Sequence, residues 1–393
     1  MRYFFALGFL TIFLALTQSD PAQQTTGPQD TTPQNSAPQN STPQNSTSKS
    51  STPQNSPRKS PSVNDNSWIQ AESVHLKNIK QLTKDFVRAG EAYFSPDGKD
   101  IIYQAEVKDS GNPFYQIFIQ NLDSGKYRRI SPGNGRTTCA YFTKDGKSVI
   151  FASSHEDPDT AKWQKQEYSK REEDKKNNRH RRYSWDFDPY MDIYQMNLES
   201  GRMTNLTKSK GYDAEGSFSQ DGSQIVFCSN RTGSLELFIM NSDGSKVRQL
   251  THTPNCYNGG PFFSPDGKKV IFRSDRKEKD RLQIYVINSD GTGEKALTSN
   301  DKWVYWAPYW YKDNRHIIFT AADHSNPLAR PNYDLYWMNI ETGKTTRITH
   351  APGQDILPVF SPDYKKIMWT SSRDGYSPVQ IYIADFTPPN EDN

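Results

Sequence analysis

Catalytic signatures are missing from this chain. It has no GxSxG elbow, no HExxH pair, no phosphate-binding GxxxxGK[ST] loop and no CxxC. A serine-hydrolase, zincin, nucleotide-hydrolysing or dithiol mechanism therefore has no basis in the sequence, and the hydrolase domain that accompanies some propellers is not expected. Charge of one sign is also lacking: 48 Lys and Arg face 45 Asp and Glu, a formal net of +3, which excludes nucleic-acid binding driven by bulk charge. Cysteine is sparse and odd in number, 3 in 393 residues, so the fold does not depend on a disulfide framework. Cys228 lies inside an apolar run and reads as a small core residue; a single Cys139–Cys256 bridge is left open.

Long hydrophobic runs are equally scarce. The sequence has one, MRYFFALGFLTIFLAL at 1–16, an Arg ahead of an apolar stretch followed by Thr17, Gln18 and Ser19. That pattern predicts a secretory signal peptide over 1–19, because the run falls short of the roughly 20 residues a membrane span needs; an uncleaved anchor is the alternative. Residues 20–67, with PQNS at 33–36, 43–46 and 53–56, hold too little apolar area to fold and read as a Pro/Gln/Asn/Ser-rich tether. The expected product is exported to the periplasm or the medium, with no stable membrane span once the signal is removed.

What is abundant is repetition. The stretch YNGGPFFSPDGKKVIFRSD at 257–275 joins an aromatic strand end, a Ser-Pro-Asp-Gly turn and a β-branched strand. Ser at the first place, Pro pre-setting φ at the second and Gly at the fourth suit a type I turn. Equivalent turns start at 95, 143, 219, 264, 311 and 361, separated by 48, 76, 45, 47 and 50 residues. A period in the high forties with one insertion points to four short strands per repeat, as in a propeller. The last repeat stops after its third strand, QIYIADF from Gln380, while an orphan fourth strand, Asn78 to Thr83, precedes the first repeat. Joining them completes a blade and removes an open edge. The predicted fold is therefore all-β, a six-bladed propeller of four-stranded blades over 68–387, closed by an N-terminal outer strand in the last blade and followed by a tail at 388–393.

SPDGK after an aromatic strand, then IxF, IYxMN, Asp-Gly or Thr-Gly and Leu-Thr, resembles the repeat of TolB-type β-propellers over about residues 76–387. The resemblance implies the fold, since blades of this kind serve binding proteins and enzymes alike. TolB carries an α/β domain ahead of its propeller where this chain has the tether, so partner contacts made through that domain do not carry over. Some propellers with such repeats are oligogalacturonate lyases, whose His-rich metal cluster is not evident here. No metal and no cofactor is expected.

In an up-and-down blade, second-to-third loops and blade crossovers share one face. The long insertions, 107–115, 155–189 and 322–333, all fall there, and long loops on a rigid scaffold concentrate function. The 155–189 insertion interleaves charges at helical spacing, including Glu172 and Lys176, and ends in an aromatic-rich stretch holding Trp185, Asp186 and Asp188. Aligned crossovers put Glu91, Asp213, Glu215, Asn258 and Asp355 at the starts of the innermost strands, near the axis, with Tyr257, Trp303 and Trp306 beside them. Carboxylates and amides among aromatic faces suit a sugar, a peptide or a cation; the alternative is that the aromatics pack between blades and the carboxylates cap turns. His324, Arg330 and Asn332, on a loop stiffened by two prolines, complete the candidate set, Arg330 suiting a carboxylate.

Two functions fit this pattern. The preferred one is a monomeric binding module of the cell envelope or medium, taking a protein, peptide or glycan on the insertion-bearing face. The other is a secreted lyase or hydrolase acting on acidic sugars, with carboxylates or a metal at the channel mouth.

Overall fold

The computed structural model describes residues 67–179, 187–373 and 378–390. The expected signal peptide, all of the tether but Ser67, Trp185 and Asp186 lie outside the described residues. Within them the chain forms six four-stranded antiparallel sheets, the blades of a six-bladed propeller. The innermost strands are Arg88–Phe94, Thr137–Phe142, Asp213–Phe218, Asn258–Phe263, Trp303–Trp310 and Asp355–Phe360. Second strands such as Lys269–Ser274 lie between neighbouring blades, which is why Val270, Ile271 and Phe272 are completely buried and β-branched or aromatic.

The turns between first and second strands follow from their sequence. In Ser95-Pro96-Asp97-Gly98 the Ser95 hydroxyl donates to Asp97 Oδ1 at 2.7 Å, and the same oxygen accepts the Lys99 amide at 3.1 Å. Ser219 with Asp221, Ser264 with Asp266 and Ser361 with Asp363 repeat the contact. In the divergent copies Asn314 and Tyr364 adopt left-handed φ of 61° and 60°, as Gly98 does at 71°.

Fourth strands are only two or three residues long in five blades, and the Leu-Thr signature extends their reach. The hydroxyls of Ser131, Thr207, Thr251, Thr298 and Thr349 accept the amides of Ile117, Ile193, Leu237, Ile284 and Leu335, satisfying donors the short ladder leaves open. The sixth blade takes its fourth strand from the N-terminal side: Leu76–Gln81 pairs antiparallel with Gln380–Phe386, Leu76 opposite Phe386. This strand lies two residues earlier than the expected 78–83. Thr83 has left the ladder because its hydroxyl accepts the Ile381 amide at 2.9 Å.

Two helices sit outside the blades. Helix α1, Ser67–Glu72, was not expected from the sequence. It ends on the buried Glu72, whose Oε1 accepts the His350 and Ala351 amides at 2.7 and 3.0 Å and whose Oε2 pairs with Arg373. Helix α2, Thr160–Lys176, is the expected charged helix of the insertion. Arg171 pins it to the blade-one loop, reaching Glu106 at 2.5 Å and the Pro113 carbonyl at 2.8 Å. Cys139, Cys228 and Cys256 are free thiols, so the open Cys139–Cys256 bridge is not formed.

Two predictions follow from this packing. Deleting residues through Thr83 removes the closing strand and leaves Arg373 without Glu72, which should cost roughly 5 kcal/mol and, at about 2 °C per kcal/mol, lower Tm by about 10 °C relative to deletion of 1–66. Equal melting temperatures of the two truncations would refute closure by 76–81. The second concerns pH. Hydrogen bonds from the Ser219 hydroxyl and from Ser223 hold the Asp221 carboxyl at about 2, below its ordinary 3.8. The fold favours the ionised form, so its contribution is present above 3.8 and lost as pH falls through about 2. Asp221→Ala should melt below wild type at pH 7, and the gap should vanish between pH 4 and pH 2; a gap that persists at pH 2 contradicts the assignment.

Candidate functional site

Each innermost strand carries a bulge at the same level, between Gly90 and Tyr93, Thr138 and Tyr141, Ala214 and Ser217, Gly259 and Phe262, Trp306 and Tyr309, and Ile356 and Val359. One residue of each bulge is left-handed: Glu91, Cys139, Glu215, Gly260, Ala307 and Leu357, with φ between 49° and 59°. A bulge re-aims its side chain. Here all six residues line one cavity of about 30 Å³ on the axis, room for about two water-sized groups.

Two residues further along each strand, opposite blades meet. The hydroxyls of Tyr141 and Tyr309 are 3.2 Å apart, and the rings of Tyr93 and Phe262 lie 5.9 Å between centroids. Innermost strands run from the crossover face to the turn face, so this aromatic layer closes the axis toward the turns.

Its charges come from three blades. Glu215 Oε1 accepts the Tyr257 hydroxyl at 2.9 Å and Arg273 Nη2 at 3.2 Å, and its Oε2 accepts the Gly260 amide. Arg273 sits on a second strand, opposite Gly259, and reaches the axis through the space left by Gly260. A Cβ on Gly260 would lie 2.0 Å from Arg273 Nη1, and one on Gly259 would lie 2.0 Å from the Tyr257 hydroxyl oxygen. The guanidinium lies 5.5 Å from the Tyr257 ring centre and 5.9 Å from that of Trp306. Burial opposes its charge, but Glu215 foremost, then Tyr257, Glu91 and Cys139, hold it above the ordinary arginine range. Burial pushes the Glu91 carboxyl up to about 7, with Glu215 adding and Cys139, Arg273 and Thr138 opposing.

Of the residues expected from sequence, Glu91, Glu215 and Tyr257 come together here, with Trp306 over Arg273. Asp213, Asn258 and Asp355 do not face the axis. They precede the bulge and are buried in contacts away from the pocket: Asp213 pairs with Arg231 of its own blade at 3.0 Å, Asn258 reaches Glu236 of the preceding blade at 2.9 Å and Arg276 of its own at 2.6 Å, and Asp355 accepts Trp369 Nε1 at 2.8 Å and the Ser371 hydroxyl at 2.6 Å within its blade. Trp303 stacks on Tyr305, away from the pocket lining. His324 is buried with Nε2 2.8 Å from the Tyr333 hydroxyl, Asn332 is exposed and donates to Asp334 Oδ2 at 2.9 Å, and Arg330 is exposed. Asp188 is buried and accepts the Tyr190 amide at 3.0 Å. Sequence reasoning missed Arg273, Cys139 and the glycine pair. Among the described residues no group of three or more His, Cys, Asp or Glu side chains is placed to hold a metal ion.

Residues 184–260 match the TolB beta propeller domain family, and residues 256–378 the dipeptidyl peptidase IV (DPP IV) N-terminal region. The chain is 39% identical over 88 residues to uncharacterized protein Atu1656 of Agrobacterium fabrum, covering 22% of this chain and 29% of that protein. It is 31% identical over 157 residues to a protein TolB homolog of Chlorobium chlorochromatii, covering 39% of this chain and 32% of the homolog. The chain thus spans about a third of the length of these relatives. Among solved structures, a putative TolB from Agrobacterium tumefaciens superposes with a TM-score of 0.52 at 17% identity, over 76% of this chain and 91% of that one. Kuenenia stuttgartiensis hydrazine synthase does so with 0.51 at 15% identity, over 70% and 40%. At these identities the likeness shows the fold alone.

The glycine pair gives a direct test of the pocket's geometry. Gly260 and Gly267 both have positive φ, but a Cβ on Gly267 meets nothing within 4 Å. Gly267→Ala should cost about 1 kcal/mol for backbone strain alone, and Gly260→Ala at least about 2 kcal/mol more, because Arg273 is displaced. In an Arg273→Ala background the excess should disappear. Denaturant titration of the four variants measures it, and an undiminished excess would show that Arg273 does not fill that space.

Proposed function

We propose that this chain, a TolB-type β-propeller, is an exported interaction module that binds a partner of the cell envelope or medium, a protein, peptide or glycan, through its crossover face. The observation that carries the reading is the one-sided axis. Tyr93, Tyr141, Phe262 and Tyr309 meet across the axis on its turn side, which supports an approach to Glu91, Glu215 and Arg273 from the side that bears the insertions. The blade-two insertion also exposes Trp163 and Tyr168, and Tyr190 is exposed directly after it; aromatic side chains are enriched where partners dock.

Export rests on the sequence at 1–19, proposed as a signal peptide, and on 20–67, proposed as a tether. The TolB-named relatives support an envelope role. No helix among the described residues is long and apolar enough to cross a membrane. We propose that the module acts as a monomer without a cofactor. Two carboxylates, one of them raised to about 7, would suit acid–base work, but Glu215 is already paired with Arg273 at 3.2 Å. A lyase or hydrolase at this pocket is therefore the weaker reading.

The full chain, used as bait in extracts of its native envelope, should capture a discrete partner. Trp163→Ala, Tyr190→Ala and Arg330→Ala together should weaken that complex at least about thirtyfold, the loss of one hot-spot contact. Alanine at Lys99, Lys147, Lys268 and Lys365, beside the turns, should leave it unchanged. The opposite result, with both sets folded, places binding on the turn face and overturns the reading.

A further inference from the structure

We propose that the axial pocket binds the ammonium head of a primary amine, with Glu91 as its counter-ion and the rings of Tyr93, Phe262 and Tyr309 as its walls. The inference rests on the crossover face being the binding face, and it names the chemistry taken at the end of the channel.

Charge balance is the first support. Glu215 is paired with Arg273 at 3.2 Å, so an ionised Glu91 leaves one negative charge uncompensated among the three. The donors already near Glu91 are weak. The Thr138 hydroxyl is 3.4 Å away and better placed on Gln104 Oε1 at 2.7 Å, and the other neighbour is the Cys139 thiol. An ammonium group brings three strong donors.

Size and walls are the second support. About 30 Å³ has room for an ammonium group and one more water-sized group. Aromatic faces attract an ammonium cation, and Tyr93, Phe262 and Tyr309 all line the cavity. A divalent metal would need several hard ligands, and no such group of acidic, His or Cys side chains converges among the described residues. Because the aromatic layer closes the far end, the amine must arrive from the crossover side on a slender stem.

The site should respond to pH. The charged groups facing Glu91 are Glu215 from blade three and Arg273 from blade four; Cys139 of blade two, Tyr93 of the same strand and Tyr115 are its neutral titratable neighbours. Burial holds the Glu91 carboxyl at about 7. The binding form is the carboxylate, whose share falls from about nine-tenths at pH 8 to about one-tenth at pH 6, an approximately tenfold loss of apparent affinity.

The test is calorimetric titration of the full chain with n-butylamine at constant sodium chloride, with n-butanol as the uncharged twin. Saturable binding of one butylamine at pH 8, about tenfold weaker at pH 6, absent for butanol and lost in Glu91→Gln, is the expected result. No saturable binding at pH 8, equal binding of butanol, unchanged affinity at pH 6, or displacement by modest extra sodium chloride would each overturn the proposal. The butanol and pH arms need no variant, so they decide the question even where Glu91→Gln fails to fold. If butylamine fails while partner capture by the crossover face persists, the amine pocket alone is refuted. If the surface set leaves partner capture intact while butylamine binds, the docking face is wrong and the pocket stands.

Discussion

A left-handed residue in the bulge of every innermost strand sets the geometry of the axis. For Glu91, Cys139, Glu215, Ala307 and Leu357 that conformation costs on the order of 1 kcal/mol each, and it persists because the surrounding ladder over-determines it. Regular pairing resumes on both sides of each bulge, and freed amides find side-chain acceptors: Glu91 N on the Thr370 hydroxyl, Leu357 N on the Thr320 hydroxyl, Gly260 N on Glu215. In an unbroken strand, side chains would alternate between the two neighbouring blades. The bulge instead turns one residue per blade toward the centre. The strain is thus architectural and shared by all six blades; what differs from blade to blade is the chemistry it displays.

That chemistry is asymmetric because blade four gives up its own side chains. The second-strand column opposite the bulge holds Gln104, Ala152, Cys228, Thr320 and Thr370 in the other blades and Arg273 here. On the inner strand Gly260 leaves the space that the Arg273 guanidinium fills, and Gly259 leaves the space for the Tyr257 hydroxyl and Glu215 that meet it. Once inside, Arg273 needs an anion, since a buried charge without a partner is costly, and Glu215 from the adjacent blade supplies it. Pairing those two leaves Glu91 as the acid whose state depends most on burial.

The fold was legible because the blades share one pattern: an aromatic strand end, a turn whose Asp accepts a Ser or Thr hydroxyl in five of the six copies, and an ending whose Ser or Thr hydroxyl accepts a strand amide. The site was legible only as a set of columns. Crossover alignment brought out Glu91 and Glu215 together with Asp213, Asn258 and Asp355, but nothing in the residues announces a bulge that faces the former to the axis and leaves the latter in buried contacts away from the pocket. Arg273 was hidden within VIFRS, where an alternating reading sends it toward a neighbouring blade. Its signal was relational: a lone charge in a column of small or neutral residues, facing a Gly-Gly pair.

Closure and pocket are also mechanically linked. Replacing a buried ionic cluster by apolar residues is often neutral or stabilising, so Glu72 and Arg373 are better understood by what they position. Glu72 fastens the segment before the closing strand to the His350 and Ala351 amides, on the crossover that delivers the innermost strand of the same blade. Arg373 carries the connection inward, its Nη2 also 3.8 Å from Asp355 Oδ2, at the first residue of that strand. Leu357, a wall of the pocket, stands two residues further on. The outer and inner edges of blade six are therefore held from one point, so the segment that seals the ring also fixes one side of the cavity at its centre.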